Sequence, residues 1–307
     1  MAQGRTAALL SPCRELLREI IGSFRETRNA SNARGLGKAM VKAATIDYIM
    51  DDPREAARLE AKVDPEAWVQ KYMARHIAPG MEVLSVGCGP GVILGAICAL
   101  HPSVRGTGID ISPDRVTEAI RRNRDNPRTR FVCGDAHAMQ FPAESFDLVY
   151  CRMLLQYLQK KERAVAELVR VCRPGGTVLL QDLDGQLLWH YPEDPALQRA
   201  VEKGVAALGD TGFDPFVGRK LFWLARKAGL ENLRVQVECY HLIAGKITPD
   251  VLKQWELKLE IARPQMTRIF GDEGEAKEYS RRFLEYLNRP DTLTYSTVFT
   301  VTGEKPF

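Results

Sequence analysis

"VLSVGCGPGVILGAICAL", residues 83–100, begins as a short apolar run, meets Gly87, Gly89 and Gly91 at alternate positions, and resumes as an apolar-rich stretch of helical length. That order is strand, turn, helix. Glycines at such a turn let a ligand touch backbone, because no Cβ stands in the way and the N–H groups opening the helix point outward. Three glycines alone do not choose the ligand, so the choice falls to the flanking sequence.

Outward from this stretch the pattern alternates. "EVLSVG" reads as a strand and "GVILGAICALH" as a helix; "GTGIDIS" is a second strand, and Ser112-Pro113 opens the helix "DRVTEAIRRNR". "RFVCGD", "FDLVYC" and "TVLLQDL" are the third to fifth strands. The helix "KERAVAELVRVCRPGG" lies between the last two and ends at Pro174-Gly175-Gly176. The strands are short and almost continuously apolar, as in a parallel sheet covered on both faces. Repeated strand–helix alternation predicts a doubly wound, Rossmann-like α/β fold. Two further strands, "LRVQVECYHLI" (233–243) and "TLTYSTVFTVTG" (292–303), alternate apolar and polar residues, with about fifty helical residues between them. They complete a mostly parallel seven-stranded sheet whose last strand is antiparallel, with a helical insertion over about 247–289 serving as a lid.

Before the sheet the chain reads as helices. Ser11-Pro12 precedes an apolar stripe of Leu16, Leu17, Ile20, Ile21 and Phe24; Asp52-Pro53-Arg54-Glu55 has capping-box spacing; Asp64-Pro65 opens a helix with Trp68, Val69, Tyr72 and Met73 on one face. The expected organisation is therefore an N-terminal helical cap over 1–77 and an α/β domain over 78–307. The 307 residues are 45% hydrophobic and 27% charged, ordinary values for a chain with a real core. No apolar run approaches the ~18 residues of a membrane helix, and the N-terminus shows no signal core, so no membrane is expected and the reading is cytoplasmic. The seven cysteines are scattered without a CxxC pair and read as buried thiols, not a disulfide framework or a metal site. A net charge of +4 argues against a nucleic-acid partner, although residues 1–42 carry eight Lys/Arg against three Glu. A solvated helical face is the plainer reading of that bias. A homodimer is left open.

The dinucleotide fingerprint is GxGxxG, but here Val92 follows Gly91 where the third glycine belongs. Asp110 ends the second strand, 21 residues after Gly89, where a carboxylate can accept hydrogen bonds from both ribose hydroxyls of an adenosine. Asp135 ends the third strand, within reach of an adenine amino group. Taken together, "VLSVGCGPG" (83–91), "GIDIS" (108–112), "GDAHAMQFPAESFDLVYCRMLLQYL" (134–158) and "ELVRVCRPGGTVLLQDL" (167–183) resemble the class I S-adenosylmethionine-dependent methyltransferases, in particular the branch of quinone-biosynthesis and bacterial natural-product enzymes. The resemblance covers about 100 residues.

The resemblance implies S-adenosylmethionine as cofactor, S-adenosylhomocysteine as product, and no metal. It also implies roles. Gly87, Gly89 and Gly91 would admit the methionyl part, Asp110 would hold the ribose, and Ile111 would pack on the adenine. Asp135 and Ala136 would meet the adenine edge. Cys151, through its backbone, and Gln156 would face the methionyl group, and Tyr48 in "TIDYIMDDP" would close the site from the N-terminal side. Ser85 departs from the family, which has an acidic residue there to position the cofactor's ammonium group.

Methyl transfer from a sulfonium needs alignment and the exclusion of water, and a general base only if the acceptor must lose a proton. His190, in "DLDGQLLWHYPEDP" after strand five, is the leading candidate for that base, and Tyr157 the second; a histidine lining a loop is the plainer reading of the first. His76, His101 and His241 read as surface or structural residues. "CRML" after strand four replaces the Asn/Asp-Pro-Pro-aromatic run of amino-directed nucleobase enzymes, and neither a Pro-Cys nucleophile there nor a paired-glutamate loop is present. The expected function is thus methyl transfer to O, N or C of a small organic acceptor. The alternatives are an RNA- or protein-directed methyltransferase using the basic N-terminus and Arg121, Arg122, Arg124, Arg128 and Arg130, or a protein that keeps the cofactor without methylating.

Overall fold

The computed structural model of the protein describes Arg54 and residues 63–209 and 212–307. Tyr48, the helical signals before residue 63 and most of the expected cap lie outside the described residues. Strands β1 (Glu82–Val86), β2 (Arg105–Asp110), β3 (Thr129–Cys133), β4 (Phe146–Arg152), β5 (Cys172–Tyr191), β6 (Glu231–Ala244) and β7 (Leu293–Glu304) form one sheet in the order β3-β2-β1-β4-β5-β7-β6. The first five are parallel, and β7 runs antiparallel between β5 and β6. The order reverses between β1 and β4. A ligand crevice opens at such a switch point, beyond the carboxyl ends of the strands.

Helices α1 (Pro65–Tyr72), α2 (Val92–Leu100), α3 (Pro113–Arg122) and α4 (Lys161–Val171) cover the sheet, and α1 and α3 start at their capping signals. Asp64 accepts from Ala67 N at the start of α1, and Ser112 from Arg115 N at the start of α3. One sheet face, with Leu84, Val86, Val149 and Leu180, is sealed by Ala164, Val165 and Leu168 of α4. Leu221, Leu224 and Ala225 of a later helix, α6 (Leu221–Lys227), complete this core. On the other face α1 packs on α2, and the Trp68 ring lies 5.9 Å from that of Tyr150.

The three strands β5, β7 and β6 run on past the crevice and carry a second core. Leu197 and Val201 of α5 (Pro195–Gly209) meet Trp255, Leu259 and Met266 of α7 (Pro249–Phe270) and Ala276, Phe283 and Tyr286 of α8 (Glu273–Leu287). The insertion expected over 247–289 is the helical hairpin α7–α8, turned at Gly271 (φ 82°) and restarted by Asp272, which accepts from Glu275 N. "DLDGQLLWHYPEDP" is not a loop after strand five: β5 continues to Tyr191, paired as Trp189↔Tyr295, His190↔Thr294 and Tyr191↔Leu293. Gly185 (φ 70°) and a register shift between Asp184 and Trp189 let the strand bulge and resume, which a period-two reading takes as a stop.

Candidate active site

The glycine turn sits at the carboxyl end of β1. Gly87 N and Cys88 N both donate to Ile109 O of β2, at 2.8 and 3.0 Å, locking the turn against its neighbour. Gly89 has φ 53°, and a Cβ built on it would meet nothing within 4 Å, so its surface is open to the crevice. Gly91 differs: a Cβ there would lie 2.7 Å from the Phe131 ring, so its need for glycine is packing against β3 as well as its φ of 74°.

Asp110 is buried and spans the turn and the end of β2. Its Oδ2 accepts from Gly89 N at 2.9 Å and its Oδ1 from Ser112 N at 3.0 Å, which leaves lone pairs on both oxygens. Beside it Ile111 is 41% exposed, an apolar face standing in the crevice. Gly134 N donates to Asp110 O at 2.9 Å, which brings the end of β3 alongside. There Asp135 Oδ1 accepts from His137 N and pairs with His137 Nδ1, each at 2.8 Å, and Ala136 is buried behind it. The structure thus gathers Gly87, Gly89, Gly91, Asp110, Ile111, Asp135 and Ala136 along the ends of β1, β2 and β3.

The second wall is the turn after β4. Cys151 is fully buried, and burial pushes its thiol well above the usual range, so it offers backbone and not a thiolate. A single 3₁₀ turn, Leu155–Tyr157, follows. Gln156 is 1% exposed; its N donates to Asp182 Oδ2 at 3.2 Å, its O accepts from Asp214 N at 2.8 Å, and its Oε1 is buried without a partner. Ser85 is buried in β1, in register with Tyr150 of β4.

Tyr157, one residue on, faces a different space. It lines an apolar chamber of about 170 Å³ walled by α5, α7 and α8, including Val201, Trp255, Met266, Tyr279 and Phe283. Rings dominate it: Trp255 and Phe283 lie 5.5 Å apart, Tyr279 stacks on Phe283, and Phe213 lies 5.5 Å from Tyr157. Burial lifts the Tyr279 phenol to about 12, so it stays neutral. Helix α5, which sequence reading missed, supplies part of this wall. Its signal was Asp194-Pro195, the same pair read correctly at 64–65: Asp194 Oδ1 accepts from Ala196 N and Leu197 N.

His190 is placed elsewhere. On β5 it pairs with Thr294, seven residues along β7 from Val301, and Val301 is level with Leu180 and Cys151. That is about 23 Å of strand. Its Nδ1 shares a hydrogen bond with Thr294 Oγ1 at 3.0 Å, its ring lies 5.0 Å from that of Tyr286, and burial lowers its pKa to about 4. It belongs to the packing beneath α8, against Phe283 and Tyr286. The arginines considered for a polyanion have partners in the fold: Arg121 and Arg122 on Glu118, Arg128 on Cys98 O and His101 O, Arg130 on Thr107, and the exposed Arg124 on its neighbour Asp125. Among the described residues no group of three potential metal ligands occurs, and no helix is long and apolar enough to cross a membrane.

This sheet order, with a glycine turn and a strand-end carboxylate at its switch point, defines an α/β fold built to hold an adenosine-bearing cofactor. The family model described as "Methyltransferase domain" matches residues 83–176. Phosphatidylethanolamine N-methyltransferase of Cereibacter sphaeroides is 34% identical over 146 residues, 46% of this chain and 67% of the relative. The 2-methyl-6-phytyl-1,4-hydroquinone methyltransferase of Synechocystis sp. is 30% identical over 163 residues, 52% and 51% of the two chains. A solved structure of Haemonchus contortus phosphoethanolamine N-methyltransferase 2 in complex with S-adenosyl-L-methionine shares the fold at TM-score 0.55 and 16% identity, covering 87% of this chain and 61% of that one. The chain belongs to the class I S-adenosylmethionine-dependent methyltransferase family. It spans about half the length of several of the curated relatives it matches.

Proposed function

We propose that the protein binds S-adenosylmethionine across the glycine turn and transfers its methyl group to a small, largely apolar acceptor held in the chamber under α5, α7 and α8. What supports this reading is the turn after β4: Gln156 keeps a buried Oε1 without a partner at the carboxyl end of that strand, and its neighbour Tyr157 lines the chamber. One short element thus borders both spaces.

The residues present fit the cofactor. Gly89 offers a surface that a Cβ would fill, Ile111 an exposed apolar face, and Asp110 free lone pairs for hydroxyl donors. The lone Gln156 Oε1 is a buried acceptor that lacks a donor, a state costing about 1–3 kcal/mol until a ligand supplies one. With Ser85 in the family's acidic position, Gln156 is the acceptor that takes over the ammonium group. When bound, S-adenosylmethionine supplies a methyl group already activated by its sulfonium. The protein's own part is to bind, align and keep out water. Asp110 and the glycine turn hold one end, while Tyr157 and the aromatic wall orient the acceptor. The neutral Tyr279 phenol offers the chamber no phenolate base, which suits an acceptor that is nucleophilic without deprotonation by that residue. Calorimetric titration with S-adenosylhomocysteine and with NAD tests the cofactor: the first binds and the second does not. NAD binding without the sulfur nucleoside overturns the reading.

A further inference from the structure

We infer that Asp182 is a positioning residue: its carboxylate caps the Leu155–Tyr157 turn from the neighbouring strand and so sets the places of Gln156 and Tyr157. This rests on the cofactor reading of Gln156 given above. Asp182 lies on β5 and is 0% exposed. Its Oδ2 accepts from Gln156 N at 3.2 Å, its Oδ1 from Leu183 N at 2.9 Å, and Leu155 N bonds it as well. The turn has no side-chain cap of its own, and the preceding Met153 sits at φ 53° with its N bonded to Gln181 O. Asp214 N holds the turn's other side through Gln156 O. A buried carboxylate in the sheet therefore takes the place of the missing cap, and its charge faces N–H groups that would otherwise be orphaned.

This cap can be switched off. Burial raises the Asp182 carboxyl to about 7, against the pull of the backbone N–H groups and of Arg152. The other ionisable groups facing it are the Cys151 thiol on β4 and the Lys161 ammonium at the start of α4; β7 presents Phe299 opposite it. Protonation below neutral pH removes the charge, and the capping bonds weaken to neutral ones.

The decisive measurement is amide hydrogen exchange resolved at Leu155 and Gln156 in the full-length protein, expressed as protection factors so that the intrinsic pH dependence drops out. Protection should fall about tenfold from pH 8 to pH 6 while β1 amides hold steady. Asp182→Asn should show the low-pH level throughout, and the S-adenosylhomocysteine dissociation constant should follow the same curves. Wild-type protection that is flat across this range overturns the inference, and needs no variant to fold. So does an Asp182→Asn protein with wild-type protection. If S-adenosylhomocysteine fails to bind at every pH, the cofactor reading falls, while the exchange data still decide the role of Asp182.

Discussion

Asp110 was legible as a strand-end carboxylate because the signal is local: a short apolar strand, an acidic residue, then Ser112-Pro113 opening a helix. The structure adds that the same side chain ties the glycine turn to β2 through Gly89 N and Ser112 N. Removing it should loosen the turn as well as delete the proposed ribose partner, so Asp110→Ala should weaken S-adenosylhomocysteine binding by about 1.5–3 kcal/mol, read by calorimetry on the folded variant. The Gln156–Asp182 bond was not legible. It joins residues 26 apart through the register of β4 on β5, which no local pattern encodes. His190 read as a loop residue for a related reason, since the strand that carries it is extended only by pairing with β7. Its buried imidazole has a pKa lowered from the usual 6.5 to about 4, so the unfolded chain binds the proton more readily between those values. Stability from this site is complete above about pH 6.5 and is lost as pH falls toward 4. Urea unfolding at pH 7 and pH 5 should show a smaller difference in His190→Asn than in the wild type.

At the scale of elements, capping signals did most of the prediction. Asp64-Pro65 and Ser112-Pro113 mark α1 and α3, and both side chains make the expected bonds. Asp194-Pro195 marks α5 in the same way, yet it follows a strand that the bulge at Gly185 hides, so the helix lost its frame in the sequence. Asp194 also pairs with Arg282 of α8, and that pair fastens two walls of the chamber. Asp194→Ala should cost about 1–2 kcal/mol in urea unfolding, the scale of a lost N-cap, with little effect on cofactor affinity. Phe283→Ala cuts deeper, because its ring touches Trp255 and Tyr279 in the core of α5, α7 and α8; about 3–5 kcal/mol is expected in the same measurement.

Across the described residues, one core lies between the sheet and α4 and α6, and another lies on the prolonged β5–β7–β6 strands under α5, α7 and α8. The residues proposed for the cofactor stand at the strand ends over the first, whereas the chamber belongs to the second, with the Leu155–Tyr157 turn between them. Replacing α7–α8 by a short Gly-Ser link should therefore abolish methyl transfer and leave much of the S-adenosylhomocysteine affinity in place. Because ring packing and apolar burial would hold the acceptor, its affinity should change little between 50 and 200 mM salt; phosphate contacts would make it collapse. Incubation with methyl-labelled S-adenosylmethionine and a whole-cell extract, followed by organic partition, tests methyl transfer to a small apolar acceptor most directly. Label should enter the organic phase as a small molecule, and the α7–α8 replacement should stop it. Label recovered in nuclease- or protease-sensitive polymer, or organic-phase label that persists without α7–α8, would contradict the assignment.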